Sequence, residues 1–241
     1  MSICRNESRR TVLRTSVALP SRSCARTAIR RACARLTALD FATFALSQLP
    51  PQPARVLEVG CGPAGGIVDH LVSRGYDACA VDPRAPAGER FRQLRFEELR
   101  DEPFDAVVAE RVFHHVHPLG AAVEKLARIT KLVVLDEFAW DRIDPPTQDW
   151  YEAQHALLRA AGVDPVGPPD LDDWRCRHTG LVPSGDLLAA FRSRFGEMLY
   201  EPRPYLYRWL NGPATEPLED ALLSGGVIAP IGFRWVGVSR P

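Results

Sequence analysis

Lysine is almost missing from this chain: Lys125 and Lys131 are the only two, and every other basic side chain is arginine. Also missing is any apolar run near the ~18 residues that span a bilayer, so a soluble protein without a membrane anchor is expected. The six cysteines, Cys4, Cys24, Cys33, Cys61, Cys79 and Cys176, form no C-x-x-C and no paired Cys/His spacing. That pattern gives neither a zinc site nor a disulfide framework and fits a reducing, cytoplasmic compartment. Positive charge is in excess only in the first 35 residues, which hold nine arginines against the single acid Glu7. Because the chain is neutral as a whole, the remainder is acidic, which argues against nucleic acid as a partner, since displacing counterions from phosphates needs a basic surface.

Residues 1–35 read as an Arg-rich, disordered arm or a helix lying on the body, and 36–241 as one α/β domain. Its organising stretch is Val56 to Gly66, VLEVGCGPAGG. An apolar strand stops in glycines and continues into a helix, which places unpaired N–H groups and a positive dipole end at the turn. Gly60 and Gly62 stand where the backbone must turn sharply and let a ligand approach. With Gly65 they spell G-x-G-x-x-G, which dinucleotide binders share. Glu58 separates a dinucleotide from a ligand with an ammonium group: a carboxylate at the strand's end repels an incoming pyrophosphate and attracts an ammonium group.

Further along, YDACAVD reads as a second strand ending at Asp82, about 20 residues past Gly62, where this architecture places an acid on the ribose hydroxyls. FRQLRFEEL offers a third strand and a turn, and FDAVVAE a fourth strand of β-branched character. Glu110, Arg111, His114 and His115 follow its carboxyl end, which faces the crevice of an open α/β sheet. KLVVLDEF is a fifth buried strand with Glu137 near the crevice mouth. All five tryptophans lie after residue 139, and 139–215 is the expected acceptor side. There Thr147 is expected to cap a helix to Ala161 with Trp150, Leu157 and Leu158 inward and Tyr151 and His155 on the neighbouring face. Ser184 caps another, and GFRWVGVS forms a final antiparallel strand.

The E-x-G-x-G pattern at Glu58–Gly62 resembles the first motif of class I S-adenosylmethionine-dependent methyltransferases. FEEL followed by PFDAVVAERVFHHVHP is similar to the acid-containing turn and FD-initiated fourth strand of their small-molecule members. The resemblance covers roughly 40–241. It implies a Rossmann-like, doubly wound sheet, mostly parallel with an antiparallel C-terminal edge, and S-adenosylmethionine as cofactor. It also implies a cofactor site of Glu58, Gly60, Cys61, Gly62, Asp82, Pro83, Phe96, Glu97, Glu110 and Arg111, with Phe96 and Glu97 flanking the adenine. Arg95-Phe96 stands where many relatives carry Asp-Ala. The implied reaction is in-line methyl transfer to a small organic acceptor by a monomer or homodimer, with His114, His115, His155 and Glu137 as candidate bases. An NAD-dependent oxidoreductase shares the turn and Asp82 and is one alternative; a non-catalytic methyltransferase-like binding protein is the other.

Overall fold

The computed structural model describes residues 40–240. The Arg-rich arm and residues 36–39 lie outside the described residues. Residues 40–48 are helical (α1) and the strands and helices that follow are β1 (Arg55–Val59), α2 (Val68–Ser73), β2 (Asp77–Val81), β3 (Phe91–Arg92), β4 (Ala106–Glu110), α3 (Leu119–Ile129) and β5 (Leu132–Phe138). Then come α4 (Pro145–Ala160), α5 (Leu171–Arg177), α6 (Ser184–Arg194), β6 (Phe195–Arg203), α7 (Glu216–Ser224) and β7 (Gly232–Ser239).

The seven strands lie in the order β3-β2-β1-β4-β5-β7-β6. β3 to β5 run parallel, and β7 enters antiparallel between β5 and β6. The order reverses beside β1, between β1 and β4, and a sheet of this kind opens its ligand crevice there, beyond the carboxyl ends of the strands. Strand alternation divides the core. Leu57, Val59, Val107, Ala109, Val133 and Leu135 face α3 and α6, while Val56, Ala78, Ala80, Val108 and Val134 face Phe41, Phe44 and Leu71 of α1 and α2. A third cluster, Phe138, Tyr151, Leu171, Tyr205, Leu206 and Leu210, joins α4, α5 and the 3-10 turn Leu206–Trp209 to the end of β5.

Three details differ from the sequence reading. Asp144, not Thr147, caps α4: its carboxylate accepts from the Thr147 N–H at 3.0 Å, and the helix starts at Pro145, whose missing N–H suits a first position. That helix also turns another face inward, because Thr147, Tyr151 and His155, four residues apart, are buried while Leu157 is 62% exposed. Ser184 opens α6 without capping it, its hydroxyl donating to Asp141 at 3.1 Å. No helix among the described residues is long and apolar enough to cross a membrane.

Candidate active site

The first strand ends in a turn built around a buried acid. Glu58 is 2% exposed, and its Oε2 accepts the Ile67 N–H at 2.8 Å, at the start of α2. A Cβ on Gly66 would overlap this carboxylate, so glycine there leaves the space that Glu58 fills. Burial raises the Glu58 pKa to about 8, against the Ile67 hydrogen bond and with the Glu110 and Asp82 charges adding to it. Gly60, at φ +85°, packs where a Cβ would stand 2.7 Å from Val112, whereas a Cβ on Gly62, at φ +60°, would meet nothing within 4 Å. The first glycine therefore serves packing and the second faces open space.

Asp82 closes the turn from the next strand. One carboxylate oxygen accepts the Gly62 N–H at 3.0 Å and the other the Arg84 N–H at 2.6 Å. Each oxygen keeps a lone pair for a hydroxyl. Beside it opens a cavity of about 300 Å³, walled by Gly60, Asp82 and Pro83 on one side, by Arg95, Phe96 and Glu97 on another, and by Val112, His115, Val116 and His117 on the third. The turn Phe96–Glu98 is held from α3 by Lys125, whose Nζ donates to the Glu97 carbonyl at 2.9 Å and to that of Leu99. The Phe96 ring is 4% exposed and meets Phe113 edge-on at 6.2 Å, so it packs more than it projects.

The third wall, the 3-10 turn Phe113–His115, rests on Glu137. This residue is fully buried at the end of β5. Its Oε1 accepts the Val112 N–H at 3.0 Å and the Phe113 N–H at 2.6 Å, and its Oε2 lies 2.7 Å from Nδ1 of His114. His114 in turn stacks obliquely on His115 at 4.2 Å and meets Phe138 edge-on at 6.0 Å. Desolvation lowers the His115 pKa to about 4, with His114, His178 and His117 acting in the same direction and Glu137 opposing. His117 reaches across to the Gly180 carbonyl at 2.5 Å.

Of the residues singled out in the sequence, Gly60, Asp82, Pro83, Phe96, Glu97 and His115 meet around one cavity. Gly62 and Glu58 build its turn from behind. Cys61 is buried beside them, its thiol pushed up to about 12 by burial and the charges of Glu58 and Asp82. Glu110 and Arg111 pair at 3.0 Å away from that lining, and Val112 stands at the wall instead. His155 is elsewhere, 4% exposed against Tyr151 with Nε2 3.3 Å from the Gly167 carbonyl. Arg95, Val112, Val116 and His117 escaped the sequence reading; the one signal for Val112 was its place directly after β4, opposite a glycine that needs room. The fit of a nucleoside is direct: Gly60, the buried acid Asp82 with free lone pairs, and the turn at Phe96 and Glu97 enclose one cavity.

A family profile described as a methyltransferase domain matches residues 26–178. No curated protein matches the chain in sequence. Among solved structures, a candidate S-adenosylmethionine-dependent methyltransferase of Listeria monocytogenes superposes with a TM-score of 0.56 at 13% identity, over 86% of this chain and 99% of its own. Geranyl diphosphate C-methyltransferase of Streptomyces coelicolor, in complex with Mg2+, geranyl diphosphate and S-adenosyl-L-homocysteine, gives 0.55 at 12% identity over 94% and 89%. An S-adenosylmethionine-dependent methyltransferase of Mesorhizobium loti gives 0.51 at 16% over 79% and 93%. At such identities the superpositions speak for the Rossmann-like fold, and the profile, spanning more than half the chain, speaks for the family. The chain belongs to the methyltransferase-domain family, as a class I enzyme that uses S-adenosylmethionine.

Proposed function

We propose that this enzyme transfers a methyl group to a nucleophilic atom of a small organic acceptor by in-line displacement. Bound S-adenosylmethionine supplies the electrophilic sulfonium methyl. Asp82 accepts hydrogen bonds from the ribose hydroxyls, the turn at Phe96 and Glu97 meets the adenine, and the Gly60–Gly62 backbone leaves room for the amino-acid end. Glu58 holds that turn in shape through Ile67. The observation that carries this reading is the convergence of Asp82, Phe96 and His115 on one cavity beyond the carboxyl ends of β1, β2 and β4.

The acceptor side is assigned to residues 139–215, which bring Trp174, Tyr205 and Trp209 around Phe138 at the end of β5. Holding acceptor and methyl donor in line supplies roughly 7–11 kcal/mol of the barrier in favourable cases. Where the acceptor must lose a proton, a general base adds about 10²–10⁴-fold. His115 is the candidate base in the cavity wall and is neutral at physiological pH. Glu137, with its oxygens taken by four donors, positions rather than reacts, and it keeps the proton of His114 on Nδ1. His155, held at Gly167, stays out of the reaction.

The test is incubation of the protein and a fractionated bacterial extract with radiolabelled S-adenosylmethionine, read as label in small-molecule products. Label in a low-mass fraction supports the reading. Calorimetry in which NADH binds and S-adenosylhomocysteine does not, at millimolar concentration, overturns it, and binding without transfer to any fraction returns the protein to a non-catalytic role.

A further inference from the structure

Away from the cavity lining, at the other side of the β4 and β5 ends, the fold buries an unusual set of charges. Strand register places Glu110 beside Asp136 and Asp136 beside Arg234, so the three form a row across β4, β5 and β7. Arg234 is well engaged: it donates to Asp136 at 3.2 Å and to Asp40 of α1 at 2.6 Å. Arg208, from the 3-10 turn Leu206–Trp209, is not. Its side chain is 5% exposed, yet the carboxylates of Asp136 and Asp40 stand 3.7 and 3.9 Å from it, beyond hydrogen-bonding distance, and its Nε has no partner. The rings of Tyr205 and Tyr207 flank its guanidinium at 5.3 and 5.0 Å. Nε of Arg111 is also buried without a hydrogen-bond partner, although Nη2 of the same side chain stands 3.0 Å from Oε1 of Glu110.

Orphaned donors of this kind are expensive, because a guanidinium taken out of water loses hydration that nothing has replaced. A network built only to fasten helix to sheet would place its carboxylates in contact with Arg208, as it does with Arg234. The geometry points instead to a receptor for one more anion: we propose that Arg111 and Arg208, with the Tyr205 hydroxyl, bind a carboxylate carried by the methyl acceptor. The proposal rests on the methyltransferase reading above and names the acceptor's chemistry.

Three further observations support it. Arg111 holds φ at +55°, in the left-handed region that a side chain other than glycine rarely occupies, directly after β4 and before the cavity-wall residue Val112. Its side chain is 32% exposed while its Nε is buried. Three guanidinium groups face the three carboxyls of Asp40, Glu110 and Asp136, and burial pushes Glu110 up against the pull of Arg111. Burial likewise pushes the Tyr205 phenol up, with Arg111 and Arg208 opposing, so it stays an O–H donor at neutral pH. The same ring stacks on Phe138 at 4.1 Å, which ties the anion receptor to the aromatic acceptor side.

The experiment uses the full chain with benzoate as probe, at constant ionic strength against chloride, sulfate and phosphate. Thermal unfolding and calorimetry are recorded with and without S-adenosylhomocysteine. The expected result is saturable stabilisation by benzoate above that given by the other anions. The binding should weaken about 10–100-fold in Arg208→Met and by less in Arg208→Lys, which keeps the charge but not the fork. S-adenosylhomocysteine affinity, unchanged in both variants, shows that they are folded. Benzoate behaving like chloride, or binding equally well to the folded Met variant, overturns the receptor. A stronger response to sulfate or phosphate overturns the monoanion assignment. Benzoate binding to a protein that ignores S-adenosylhomocysteine overturns the assignment to an acceptor and places the fault in the methyltransferase reading.

Discussion

Glu137 offers the most demanding test of how the cavity wall is held. Its carboxylate takes the backbone N–H groups of Val112, Phe113 and, at 3.3 Å, Phe138, and one imidazole nitrogen, while fully buried. Glu137→Gln keeps the shape and one carbonyl oxygen, on which the Val112 and Phe113 N–H groups can remain. Its amide then faces His114, which can accept by moving its proton to Nε2. Three of these hydrogen bonds to a charged group become neutral ones, a loss of about 1 kcal/mol each and about 3 kcal/mol together. Glu137→Ala leaves the Val112, Phe113 and His114 donors buried and unmet, at about 1–3 kcal/mol each, a sum comparable with the whole stability of many domains. Urea denaturation at pH 7 measures both. S-adenosylhomocysteine calorimetry on the Gln variant then shows whether a loosened Phe113–His115 turn weakens the cavity that Val112 and His115 line. An Ala variant within 1 kcal/mol of the wild type, or a Gln variant as unstable as the Ala one, would refute the account of Glu137 as the anchor of that wall.

Glu58 carries a pH signature. With a folded pKa of about 8 against an ordinary 4.5, the native state holds a proton that the unfolded state releases. Its contribution is therefore complete below pH 4.5 and is lost as the pH rises through 8, at about 1.4 kcal/mol per pH unit. Glu58→Gln should remove that slope and stabilise the ligand-free protein by about 3 kcal/mol at pH 7; parallel wild-type and variant curves of unfolding free energy between pH 5 and 8 would count against it. Asp82→Ala should weaken S-adenosylhomocysteine roughly 10–100-fold through lost hydrogen bonds to a charged acceptor, and an unchanged Kd by calorimetry would remove Asp82 from the ribose. If His115 is the base, kcat/KM should fall with acid only near pH 4, where its imidazole protonates. A limb near 6.5 in the pH–rate profile points to another histidine. Gly60→Ala should impair folding or cofactor binding through both its φ of +85° and its overlap with Val112, and Val112→Ala should restore part of the loss, as read by thermal unfolding. No restoration would mean that backbone conformation alone sets the cost.

The parts of this molecule visible in the sequence are those whose cause is local. The apolar run into glycines announced β1 and its turn, the β-branched run announced β4, and a fixed spacing in the βαβ unit announced Asp82. β6 was hidden because it is an edge strand with a register shift between Glu197 and Leu199, a proline at 202 and Met198 71% exposed, so alternation never becomes regular. The inward face of α4 was misplaced because its buried row is Thr147, Tyr151 and His155, two of them polar. Arg208 had no local signal at all: its neighbours Asp40, Glu110, Arg111 and Asp136 come from α1, the end of β4 and β5 and meet only once the sheet is assembled. Glu58 was assigned to the ligand from its sequence position, while its side chain binds Ile67 and fills the space beside Gly66.

The strand order has a consequence for how the protein comes into being. β6 has its hydrogen-bonding partner in β7, which leaves the ribosome some thirty residues later, and β5 waits for that same strand. During synthesis the parallel half, with the cofactor turn, can therefore form while the edge of β5 is still open to pairing with another chain. Loss of the last ten residues would remove Trp235 and Arg234 together, leaving β6 without a partner and one edge of β5 open. A ribosome stalled shortly before β7 should thus hold a nascent chain that is already shaped around its cofactor turn and yet prone to aggregate.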